Sequence, residues 1–103
     1  LADEICRPGF RGCPFINAAA EYPDPGSAVR AVVTRFRQWM IGTIEAALLA
    51  HGVPAGSARR TARQIMMLRD GALVEGYVSA DAGAVARELE QGVTSLVSGS
   101  LAP

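Results

Sequence analysis

Apolar residues recur along this chain at the three-and-four spacing of amphipathic helices, and proline and glycine cut the pattern into segments. Val29, Val32, Val33, Phe36, Met40, Ile44, Ala47 and Leu48 make one stripe. Arg30, Arg37, Gln38 and Glu45 fall off it, which predicts a long helix from about Ser27 to His51. Gly52-Val53-Pro54 ends that helix. Ahead of it, Pro14 stands at a first helical position, where its missing N–H costs nothing. The short helix it opens, Pro14 to Glu21, stops at Tyr22-Pro23-Asp24-Pro25. Asp24 and Ser27 are equally suited to cap the long helix. Leu1 to Gly12 carries Pro8, Gly9 and Gly12 and reads as a loop.

A third helix, about Ser57 to Tyr77, changes character along its length. Its first half is basic, with Arg59, Arg60 and Arg63. From Ile65 through Met66, Met67, Leu68, Ala72, Leu73, Val74, Tyr77 and Val78 it is apolar nearly all round. A helix apolar on every side must be covered on every side. A fourth, about Ala82 to Ser98, comes after the cap candidates Ser79 and Asp81 and repeats Ala82, Val85, Ala86, Leu89, Val93, Leu96 and Val97 along one stripe. Gly71, Gly76 and Gly92 fall inside these helices, where glycine is tolerated best if another backbone comes close. No useful β-alternation or internal repeat is present. The fold class predicted is all-α, a helical bundle in one domain.

Composition narrows the function. The 103 residues suffice for one small core, and 50% of them are hydrophobic, too many for a disordered tail. Ten basic residues, all Arg, balance ten acidic ones. A neutral chain lacks the positive footprint of DNA binding, so these residues alone are not expected to bind DNA. No run is long and apolar enough to span a bilayer. Cys6 and Cys13 make no disulfide framework, and a reduced, cytoplasmic setting is expected.

Catalytic chemistry finds little support. The single histidine, His51, lies at the end of the long helix, where it can face the last carbonyls and the negative end of the dipole. One His and two Cys give no zinc-ligand spacing, and no phosphate loop or nucleophile motif is present, so no metal, cofactor or enzymatic activity is expected. Cys13 precedes Pro14 at a helix start, where the dipole can activate a thiol; a small buried apolar residue is the simpler reading. Asp70, beside Arg69 in the apolar part of the third helix, must be paired, exposed or facing a polar cavity. Arg63, seven positions earlier, shares its helix face as a candidate partner, with Asn17 and Glu75 as further candidates. Phe10, Phe15, Ile16, Phe36, Trp39, Met40, Met66, Met67 and Tyr77 come from several segments that must pack together. They suit either a closed core or, with Asp70, a pocket for a small apolar or aromatic molecule.

Two motifs resemble a known family. Arg11-Gly12-Cys13-Pro14-Phe15-Ile16-Asn17-Ala18-Ala19-Ala20-Glu21, with Tyr22-Pro23-Asp24-Pro25 directly after it, is similar to a segment of C-terminal domains in TetR-type (AcrR-like) regulators. Met67-Leu68-Arg69-Asp70-Gly71-Ala72-Leu73-Val74 resembles the stretch ending in Asp-Gly-Ala on their penultimate helix. The resemblance implies a bacterial, cytoplasmic transcriptional regulator, a repressor, that works as a homodimer. Its last two helices would form a four-helix bundle with their two-fold mates. Leu68, Ala72, Glu75, Val78, Val85, Leu89, Gly92, Val93 and Leu96 are then the interface, and the aromatic and methionine group above, with Asp70, is the effector pocket. DNA would be bound through an N-terminal helix-turn-helix domain that is absent from residues 1–103. A closed helical dimerisation module without ligand is the alternative reading.

Overall fold

The computed structural model describes residues 11–79 and 81–101, and among them it is built of helices without a strand. Four helices come in order: α1 (Pro14–Glu21), α2 (Ala28–Ala50), α3 (Ala55–Val78) and α4 (Ala82–Leu101). Each packs chiefly on its neighbour in sequence, α1 on α2, α2 on α3 and α3 on α4.

Local chemistry sets most of the boundaries. Of the two candidate caps, Ser27 takes the position: its Oγ accepts the N–H of Arg30 at 3.1 Å. Asp24 instead closes the preceding turn, accepting the N–H of Gly26 at 2.9 Å. At the far end, Gly52 adopts φ +102°, and Val53 and Gly52 donate to the carbonyls of Leu48 and Leu49 at 3.0 and 3.1 Å. That is a Schellman stop, completed by Val53 and Leu48 meeting in one core cluster. Asp81 caps α4 by accepting the N–H of Ala84 at 3.0 Å.

Two boundaries run past the sequence expectation. α3 begins at Ala55, directly after Pro54. α4 continues to Leu101 although Gly99 lies in its last turn. A tertiary clasp holds that turn: Ser100 Oγ donates to Leu96 O at 2.8 Å and accepts from the buried Thr61 hydroxyl of α3 at 2.6 Å.

Two core clusters tie the layer together. One gathers Cys13, Ala72, Leu73, Val85 and Leu89, with Phe15, Ile16, Leu68 and Val93 packed on it. The other gathers Leu48, Val53, Ala58, Ala62 and Ile65 under Ile41, Ile44, Val93, Leu96 and Val97. Cys13 is thus a buried small residue at the head of α1, a role free cysteine often fills. Cys6 and Phe10 lie outside the described residues.

Candidate functional site

Between the two clusters α1, α2, α3 and α4 leave a cavity of about 730 Å³. This is within the size range of small-molecule sites. Phe15 of α1, Phe36, Met40 and Ile44 of α2, Ile65 and Leu73 of α3, and Leu89 and Val93 of α4 give it an apolar wall. Phe15 and Phe36 stack with centroids 3.9 Å apart and rings 4° from parallel. Gly12, at φ +85°, turns the chain into the cavity rim and delivers Cys13 and Pro14 to it. Polar groups are few: Cys13, Arg69, and the exposed Glu90 and Thr94.

Arg69 belongs to a charge cluster at the α2–α3 seam. Arg37 of α2 grips Asp70 with both nitrogens, Nη1 donating to Oδ1 at 3.1 Å and Nη2 donating to Oδ2. Arg69 Nη1 donates to the same Oδ1 at 3.1 Å, while its Nη2 points to Cys13 Sγ at 3.5 Å. Its guanidinium also lies 5.7 Å from the centre of the Phe36 ring. The hydrogen bond to Asp70 is the chief reason the Arg37 guanidinium is held above its ordinary value. Asp70 therefore pairs with Arg37 and Arg69, and not with the expected Arg63. Residues seven apart on one helix are separated by about 10 Å along its axis, farther than the adjacent helix stands. Asn17 turns back to donate to Arg11 O at 2.9 Å.

Of the expected pocket residues, Phe15, Phe36 and Met40 line this cavity. Ile16 and Asp70 line a neighbouring groove of about 580 Å³ with Arg30 and Arg37. Met66 is fully buried without reaching the cavity lining. Trp39 and Tyr77 point outward, 63% and 57% exposed, Trp39 leaning on Phe36 with ring centroids 6.2 Å apart. Met67 faces away from the cavity: at 100° per residue it stands nearly opposite Ile65 and Arg69 on α3. Sequence patterning does not single out Arg69 as a wall of the cavity. Its one local signal is a charge set inside an apolar turn.

On that opposite face α3 and α4 leave an open groove of about 770 Å³ lined by Met67, Leu68, Gly71, Ala72, Glu75, Val85, Leu89 and Gly92, among others. Met67 is exposed in it, and Val74 and Val78 continue the same stripe of α3 beyond it, Val78 exposed by 74%. Of the expected interface residues, Leu68, Ala72, Glu75, Val85, Leu89 and Gly92 line this groove. Ala72, Val85 and Leu89 are largely buried within the chain, and Val93 and Leu96 pack on the second core cluster. Among the described residues no group of three or more His, Cys, Asp or Glu is arranged to hold a metal ion. No described helix is long and apolar enough to cross a membrane.

Residues 1–91 match the family described as transcriptional regulator LmrA/YxaF-like, C-terminal domain. The crystal structure of a TetR-family transcriptional regulator from Streptomyces coelicolor superposes with a TM-score of 0.88 at 38% sequence identity. The match covers 98% of this chain and 52% of that one, so the chain spans about half the length of that regulator. No curated protein sequence matches. On this family match and this structural likeness, the chain belongs to the TetR-type transcriptional regulators, as a C-terminal domain of the LmrA/YxaF-like kind.

Proposed function

We propose that residues 1–103 are the single ligand-sensing and dimerisation domain of a cytoplasmic repressor, whose DNA contacts come from a helix-turn-helix domain outside these residues. The cavity takes a small apolar or aromatic effector, and the outer faces of α3 and α4 form the two-fold interface. The observation that carries the reading is the uncovered stripe of Met67, Val74 and Val78 along α3, on the side away from the cavity. Covering such side chains is worth of order 1–2 kcal/mol each, and a two-fold mate covers each stripe twice. The aromatic and aliphatic wall around 730 Å³ supports the effector half of the reading.

Light scattering after size exclusion, over a range of concentrations, tests the interface. A dimer is expected, and Met67→Glu with Val78→Glu should convert it to a folded monomer, because both side chains are exposed in the single chain. A wild-type monomer, or a double variant that stays dimeric, would overturn the assignment.

A further inference from the structure

We infer that the effector is an organic acid with an apolar body, its anionic group held by Arg69. The inference rests on the cavity being the effector site and adds the class of ligand.

The argument begins with charge. One carboxylate, Asp70, serves two guanidiniums, so the Arg37–Asp70–Arg69 cluster carries a net charge of plus one. Arg37 engages Asp70 with two nitrogens and takes most of its capacity. Arg69 is left with one oxygen it shares and with Cys13 Sγ, a weak acceptor, although its side chain is only 14% exposed. Among the described residues Arg69 is also the cation that lines the cavity. A guanidinium so far out of water, with donor capacity unspent, favours an anion that presents oxygens to it.

The opposite charge is placed elsewhere. Glu90 also lines the cavity, but it is exposed and forms no ion pair with Arg69 within 4.0 Å among the described residues. It stands at the solvent side, where its charge is screened. Thr94, also exposed at the solvent side, donates its hydroxyl to Glu90 O, and the rest of the wall is chiefly apolar, with Phe15, Phe36, Met40, Ile65, Leu73 and Val93. That apolar wall offers no hydrogen bond to a neutral polar head, whereas a hydrocarbon or aromatic body fits.

The test uses matched pairs that differ only in charge, decanoate against decanamide and naphthalene-2-carboxylate against its primary amide. Affinities are read by calorimetry and thermal shift on the whole protein. Each acid should bind at least about tenfold more tightly than its amide, the scale of one charge-assisted contact. Arg69→Met should erase that ratio by costing the acid at least about tenfold more affinity than the amide, and Arg69→Lys should keep part of it. Should Arg69→Met fail to fold, the wild-type ratio and Arg69→Lys decide. Acids and amides that bind alike, or an acid preference that survives Arg69→Met, would refute the organic-acid inference and leave the apolar effector site standing. A protein on which neither member of any pair acts would overturn both.

Discussion

Replacing Asp70 by Asn removes the anion of the α2–α3 seam and leaves its shape. Asp70 accepts three charge-assisted hydrogen bonds, two from Arg37 and one from Arg69. An exposed ion pair is worth about 0–1 kcal/mol, and breaking a fully buried one costs about 3–5. The three side chains, 29%, 23% and 14% exposed for Arg37, Asp70 and Arg69, lie between these limits. The asparagine amide would turn a donor or a weaker acceptor toward two guanidiniums that then face each other unscreened. The expected loss is about 2–3 kcal/mol, between the exposed and buried limits. Urea unfolding at fixed protomer concentration measures it, since association shifts the apparent midpoint. The double variant with Arg37→Met should be less destabilised than the two single losses summed, by about 1–2 kcal/mol, because the second change removes a cation already orphaned. The pH dependence carries its own sign. Arg37 is raised above its ordinary value, so its stabilisation is whole below the guanidinium range and lost only as pH rises through the raised value. The gap between wild type and Asp70→Asn should therefore not shrink between about pH 6.5 and about pH 9 through Arg37. An Asp70→Asn protein within about 0.5 kcal/mol of wild type, or strict additivity with Arg37→Met, would refute the view of this cluster as a structural clamp.

Two further changes probe separate parts of the fold. Gly52→Ala should cost about 1–2 kcal/mol in the same urea assay. The added Cβ meets only an ordinary contact 3.8 Å away, so the loss would come from forcing φ +102° on an L side chain. Met40→Trp should fill the cavity and abolish effector-induced thermal stabilisation while the protein keeps its mass in solution; retained stabilisation would move the site elsewhere.

The helices were legible because their signals are local: a period of apolar positions, a serine or aspartate at the start, a glycine or proline at the end. What escaped was decided between elements. The last turn of α4 looks finished at Gly99, and only Thr61, 39 residues away from Ser100, shows why it persists. Asp70 announced that it needed a partner, yet Arg37 is 33 positions distant and nothing along α3 points to it. Met66 and Met67 are adjacent and chemically identical; one is buried and the other 67% exposed. The same limit holds on α2, where Phe36 turns inward and Trp39, three residues later, turns outward. An all-round apolar helix hides its own orientation, because periodicity cannot rank faces that are all hydrophobic.

That same property makes α3 the element through which the cavity and the outer groove can influence each other. Ile65, Arg69 and Leu73 run along one face of α3 into the cavity, and Met67, Gly71 and Val74 run along the other, out of it. No loop intervenes, so a ligand that rotates or shifts α3 moves the outer stripe by a comparable amount. Leu89 of α4 lines the cavity and the groove alike and is largely buried between them. Under the proposed function, effector binding would reach the partner through this single layer of side chains. The magnitude is bounded by the ligand's preference for one arrangement of α3 over the other, since a ligand indifferent to the two shifts nothing. Arg69 is suited to create such a preference. It is tied to α2 through Asp70 and Arg37, so an anion drawing on its guanidinium pulls against that tie in one position of α3 and not in another. Loosening the tie by Asp70→Asn should then weaken the coupling between effector and DNA affinity more than it weakens effector binding. A variant that lost both in equal proportion would place the coupling outside the α2–α3 seam.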